Sequence, residues 1–207
     1  MSPRIFFIGD SFIHGTGDPT CLGWVGRVCA RAMAHNHAFT GYNLGVRGDT
    51  TQLIHQRWQP EVQSRSANPA SVGFVFSFGA NDVNLNDETS QPRVPLADSV
   101  AYAQAILGDA QKIDPVLMVE SPPIANDLAA NQRLAELNQH ILDLCQVLAI
   151  PHIRTCAALL NTPSWMEEAI ANDGAHPREQ GYTALAEIIL SSQQWSQWLE
   201  QFSRIDT

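Results

Sequence analysis

Four short segments carry residue types that could do nucleophilic chemistry together. Gly9-Asp10-Ser11-Phe12 sets a serine directly after the apolar run from Ile5 to Ile8. Where a helix follows a strand, its first N–H groups and its dipole favour negative charge developing at such a hydroxyl. Asp173-Gly174-Ala175-His176-Pro177 sets an aspartate three residues before a histidine. On one tight turn that carboxylate can reach the imidazole Nδ1, fix the tautomer and leave Nε2 free as a base. The stretch from Asn43 to Thr50 holds Gly45 and Gly48, where backbone can approach a ligand closely and offer its N–H. Gly79-Ala80-Asn81-Asp82 offers a side-chain amide donor. Together they supply the parts of acyl transfer: Ser11 as nucleophile, His176 as base and Asp173 as its orienter. The Ser11 N–H, the Gly48 N–H and the Asn81 side chain would bind the oxyanion. Singly, each segment is an ordinary turn or helix entry, and only their joint occurrence at element boundaries points to one site.

The elements that must position these residues follow from hydrophobic patterning. Strands are expected at residues 4–9, 38–44, 72–78, 115–120 and 150–154, all rich in aromatic or β-branched residues or bounded by Gly and Pro. Helices are expected at 22–36, after a cap at Asp49 or Thr50, and at 96–112. Leu134, Leu137, Ile141, Leu144 and Leu148 recur at helical spacing. A further helix should run from Pro177 through Leu190, followed by a helical stretch carrying Trp195, Trp198, Leu199 and Phe202. Residues 83–95 read as a polar loop, and 157–175 as mostly loop with a short helix near Trp165. Strands alternating with helices predict an α/β fold: three α/β/α layers around a five-stranded parallel sheet of flavodoxin-like order. In such sheets ligands bind beyond the carboxyl ends of the strands, where all four segments fall.

Composition narrows the classes. The 207 residues suit one domain, taken as 1–207. Twelve Lys+Arg against 21 Asp+Glu give a net charge of −9, a poor basis for binding nucleic acid. No apolar stretch is long enough to insert in a membrane. The N-terminal apolar run is too short for a secretory signal, so a cytoplasmic location is expected. Cys21, Cys29, Cys145 and Cys156 form no C-x-x-C pair and read as reduced structural thiols. Neither a metal nor an organic cofactor is expected. A metallophosphoesterase would want more Asp and His at the first strand end, and a flavodoxin-like module a phosphate cradle there. A homo-oligomer is open, with the C-terminal Trp/Phe stretch packing on its own domain or against a second copy.

On these four segments the sequence resembles the SGNH hydrolases, the GDSL esterase/lipase family, over most of its length. Phe12 stands where the family name has leucine. The resemblance implies Ser11, Gly48, Asn81 and His176 as the four name-giving residues, Gly45 being the alternative glycine, with Asp173 completing the triad. It implies hydrolysis of carboxylic esters or thioesters of a small molecule; a carbohydrate O-acetyl ester and transfer to an alcohol share the same site. Short-acyl or aryl esters are expected, because residues 83–95 are too short and polar for a large lid. Asp10 could hold the nucleophile turn, or simply form it. His14 could line the substrate mouth or be an exposed loop residue. Arg47 could meet a carboxylate or sugar on the substrate, or be solvated. Asp82 joins them as a supporting or lining candidate. Trp24 and Trp165 could be pocket walls, with core packing favoured for Trp24.

Overall fold

The computed structural model describes residues 2–66 and 71–202. The expected domain limits, residues 1 and 207, lie outside that range. β1 (Arg4–Gly9) is an interior strand, flanked in parallel by β2 (Thr40–Gly45) and β3 (Val72–Ser77). β4 (Val116–Val119) and the short β5 (His152–Ile153) extend the sheet, giving the order β2-β1-β3-β4-β5. This is the flavodoxin-like order expected, with every pair parallel.

Helices cover both faces because both faces of the strands are apolar. Ile5 and Phe7 of β1 point into one core with Trp24 and Val28 of α2 (Gly23–Ala34). Phe6 and Ile8 point into the other with Ile54 and Trp58 of α3 (Thr51–Arg65). All four β1 side chains are fully buried. Burying a side chain of that size contributes about 1.5–3 kcal/mol, so the strand that presents Ser11 is firmly anchored.

The remaining helices follow in chain order. A one-turn α1 (Ser11–His14) leads directly from β1, and α4 (Ala80–Val83) from β3. α5 (Leu96–Gln111) and α6 (Leu128–Val147) pack on the core of Phe6 and Ile8 through Ile106, Leu134 and Leu137. α7 (Cys156–Leu160) and α8 (Pro163–Ala171) occupy the stretch expected to be mostly loop. Pro163 starts α8 at its first turn, and Trp165 and Ala169, one turn apart, are fully buried. Tertiary burial of two side chains stabilises a helix too short to announce itself by periodicity. α9 (Glu179–Leu190) begins two residues later than expected, with Pro177 before it and not in its first turn. The Glu168 carboxylate accepts the N–H groups of Arg178, Gln180 and Gly181, which sets where the helix starts. α10 (Gln193–Glu200) starts at a Ser192 cap, and its Trp198 and Leu199 pack into the core of Ile5 and Phe7. The C-terminal aromatic stretch is thus spent on this chain's own core. Residues 84–95 are irregular, pinned by one antiparallel bridge between Leu85 and Pro92.

Candidate active site

At the end of β1 the chain must turn sharply into α1. Asp10 makes the turn: it is the N-cap, and its Oδ1 accepts the Phe12 N–H at 2.9 Å. Gly15 closes the turn in the left-handed region, its N–H bonded to the Ser11 carbonyl. Ser11 is therefore the first residue of a one-turn helix held from both ends. Phe12 and Ile13 beneath it are buried.

His176 comes from the loop between α8 and α9. Its Nε2 lies 2.7 Å from Ser11 Oγ, and its Nδ1 lies 2.8 Å from Asp173 Oδ2. Asp173 Oδ1 accepts the backbone N–H groups of His176 (2.8 Å) and Ala175 (3.1 Å). One carboxylate thus folds the turn and orients the ring. A carboxylate can only accept from Nδ1–H, so Nε2 is left to accept from the Ser11 hydroxyl. Burial works to raise the Asp173 pKa, but these N–H donors outweigh it and hold the carboxyl below its usual range. Phe12 packs against the imidazole at 5.1 Å between ring centroids, and Asn172 Nδ2 donates to the His176 carbonyl. Ser11 and His176 are buried, so their contact is shielded from bulk water. This row of hydrogen bonds can move the Ser11 proton to His176 when the oxygen attacks an electrophile.

The other two segments close in from β2 and β3. Gly48 lies in the loop after β2 with φ +84°. Gly45, the alternative, is packed directly against the backbone of α1. Asn81 sits in α4, with Nδ2 donating to the Asp49 carbonyl at 3.0 Å and reaching Asp10 Oδ2 at 3.4 Å. The amide therefore bridges the segment that carries Ser11 and the loop that carries Gly48.

The supporting candidates divide. Asp10 is buried in the turn that carries Ser11, and burial, with Asp82 and Asp49 nearby, raises its pKa to about 7 against the Phe12 N–H. Asp82 does not line a mouth: it is fully buried, accepting from the Thr51 N–H and hydroxyl and the Ser99 hydroxyl. Those bonds tie α4 to α3 and α5, since a buried carboxylate needs donors to offset its lost hydration. His14 ends α1 with an exposed ring beside Thr16. Arg47 is exposed but not simply solvated, since Nη2 lies 3.4 Å from Asp173 Oδ2. Trp165 is no pocket wall: it is fully buried against Phe12 and Tyr182. Trp24 is core, as expected.

Sequence reasoning missed Arg57 and Arg93. Arg93 donates to the Gly48 carbonyl at 3.0 Å and approaches Asn81 Oδ1 at 3.5 Å. Arg57 lies between Ile54 and Trp58, which face the core, and an arginine beside a buried stripe must find anchors; that was the available signal. Burial pushes the Cys29, Cys145 and Cys156 thiols up to about 12, aided at Cys156 by Glu120, so none is a ready thiolate. Among the described residues no cluster of His, Cys, Asp and Glu is arranged to hold a metal ion. Nor is any helix there long and apolar enough to cross a membrane.

Comparison with known proteins points the same way. No curated protein sequence matches the chain. In fold it is similar to an acetylxylan esterase from Geobacillus stearothermophilus, with a TM-score of 0.74 at 19% identity over 90% of this chain and 92% of that one. It is also similar to a lipase/acylhydrolase from Enterococcus faecalis, with a TM-score of 0.71 at 23% identity over 92% and 94%. The esterase has also been solved as three catalytic mutants, in which a serine, an aspartate and a histidine three residues after it are each replaced by alanine. The model of the GDSL-like Lipase/Acylhydrolase family matches residues 7–184, and the chain belongs to that family.

Proposed function

We propose that this protein hydrolyses carboxylic esters through an acyl-enzyme, with Ser11 as nucleophile, His176 as base and Asp173 holding the imidazole. The observation that carries this reading is the unbroken run from Ser11 Oγ through His176 to Asp173, at 2.7 and 2.8 Å. The catalytic serine, aspartate and histidine of the similar acetylxylan esterase support it, because their aspartate and histidine have the same three-residue spacing.

In the first step His176 Nε2 takes the Ser11 proton as Oγ adds to the acyl carbonyl. The oxyanion is met by the N–H groups of Ser11 and Gly48 and by Asn81 Nδ2. The α1 N-terminus suits this, since its first N–H groups have no acceptor inside the helix. The imidazolium then gives its proton to the departing alcohol, leaving acyl-Ser11. Water attacks that ester with His176 again as base, and the carboxylic acid leaves. Asp173 stays ionised throughout and stabilises the imidazolium.

The acyl group proposed is short, acetyl before longer chains. The likeness to an acetylxylan esterase supports an acetylated sugar among the candidate substrates. The test is hydrolysis of p-nitrophenyl acetate, butyrate and octanoate, with acetylated xylo-oligosaccharides alongside. Turnover should fall with chain length and vanish in Ser11→Ala. Wild-type turnover by a folded Ser11→Ala variant would overturn the mechanism, and an octanoate preference would overturn the acyl assignment.

A further inference from the structure

Arg57 is bonded to both strand ends that frame the site, yet it touches none of the reacting atoms. Its Nη2 donates to the Gly9 carbonyl at 2.8 Å, and its Nη1 to the Leu44 carbonyl at 3.0 Å. Its Nε donates to Asp49 Oδ2 at 2.5 Å, and Nη1 also meets Glu61 Oε2 at 3.2 Å, one helical turn away. The guanidinium side chain is 18% exposed. Gly9 and Leu44 lie at the carboxyl ends of β1 and β2. One planar group therefore spans the strand end that leads into Ser11 and the strand end that leads into the Gly48 loop.

We propose that Arg57 is a positioning residue for the reaction, fixing the spacing between the nucleophile segment and the oxyanion donors. This rests on the reading of Ser11, Gly48 and Asn81 given above. The link to Asn81 runs through Asp49. Arg57 holds the Asp49 carboxylate, and the Asp49 backbone carbonyl accepts Asn81 Nδ2 at 3.0 Å. A carbonyl can take only the N–H end of that amide, and Arg93, a pure donor, approaches only its oxygen end. The donor end of Asn81 is thereby held on the Asp10–Ser11 side. Charge adds to geometry. Asp49 and Asp82 lie close enough to Asp10 for it to feel their charge. An uncompensated carboxylate there would oppose an oxyanion, and Arg57 neutralises the one it binds. Lysine could not replace it, since one ammonium cannot keep three such acceptors in one plane.

The test is turnover of p-nitrophenyl acetate per active site, counted by labelling with a fluorophosphonate and measured well below each variant's melting temperature. Arg57→Met should lower kcat by about 10- to 100-fold with KM changed less than about threefold, as expected when reacting groups shift by near 1 Å. Arg57→Lys should recover part of that loss, since it keeps the charge beside Asp49. Asp49→Asn keeps the backbone acceptor but drops the ion pair, and should lower kcat about 5- to 20-fold. This second variant decides the matter if Arg57→Met fails to fold. Per-site kcat within threefold of wild type in the folded variants would reduce Arg57 to scaffolding and overturn the proposal. Ser11→Ala separates the two readings: activity surviving there overturns the site itself, whereas its loss beside active Arg57 variants overturns only the role of Arg57.

Discussion

Gly45 ends β2 and Gly48 lies three residues on in the loop that follows, yet methyl groups added to them should have different consequences. At Gly45 a Cβ would fall 2.2 Å from the His14 nitrogen, 2.7 Å from its Cα and 2.8 Å from the Asp10 carbonyl oxygen. Ordinary contact begins at 3.4 Å, so α1 would have to move about 1 Å away from β2. One bond resists that directly: Asn43 Nδ2 donates to the Ile13 carbonyl at 2.7 Å, its amide held by the Gly45 N–H on Oδ1. Overpacking of this kind costs about 1–3 kcal/mol, here at the top of that range because the obstruction is backbone. For a chain of this length, that lowers the melting temperature by roughly 6–12 °C. The displaced element carries Ser11, whose 2.7 Å contact with His176 would open, and kcat should fall about 100-fold. At Gly48 a Cβ would meet nothing within 4 Å, and the cost is only that of a left-handed residue at φ +84°. That is about 1–2 kcal/mol, or roughly 2–8 °C. Thermal unfolding and steady-state kinetics of Gly45→Ala and Gly48→Ala measure both numbers. If Gly45→Ala is as stable as wild type, or less damaging than Gly48→Ala, the packing of α1 on β2 described above is wrong.

Other substitutions test separate parts of the site. Asn81→Ala should lower kcat by about 10²–10³ with KM nearly unchanged, as measured for lost oxyanion donors elsewhere; a change confined to KM would make it a binding residue instead. Asp10 binds its proton more tightly in the folded chain, with a pKa raised from 3.8 to about 7 chiefly by burial. Its contribution to stability is therefore complete below about pH 4 and is lost as pH rises to about 7, at up to about 1.4 kcal/mol per pH unit. Asp10→Asn should flatten urea-derived stability across that window, and an unchanged slope there would refute the assignment. Glu168→Ala strips three N–H groups at the start of α9 of their acceptor and should cost about 1–2 kcal/mol, read as a melting temperature lower by roughly 2–8 °C. An unaltered melting temperature would mean that water replaces the carboxylate without loss.

What could be read from the sequence is what local chemistry dictates. β1 and β3 were legible because burial on both faces leaves near-continuous apolar runs, and the sheet order followed from strands alternating with helices. The Asp173–His176 turn was legible because its two partners are three residues apart and fold on each other. α7 and α8 were not legible, because they owe their stability to Leu159 and Trp165 meeting residues far away in sequence. Which of its two readings, supporting or lining, Asp82 takes was not legible for the same reason, since its partners Thr51 and Ser99 come from two other helices.

The net charge of −9 is a property of the whole chain, whereas the reaction feels the field at one place. Around Ser11 the sign is set by few groups. Asp10 and Asp82 are buried, and burial raises the pKa of each. Three arginines bond to the framework of the site: Arg47 to Asp173, Arg57 to Asp49 and two strand-end carbonyls, and Arg93 to the Gly48 carbonyl. Arg47 is exposed and screened by water and salt, so it contributes little, while Arg57 lies inside the packing, where its pairing with Asp49 is screened less. An acidic protein can thus leave the place where the proposed oxyanion would form with its nearby carboxylates matched by arginines. The arrangement costs desolvation of a guanidinium, which is tolerable only because its acceptors are already fixed at the ends of β1 and β2.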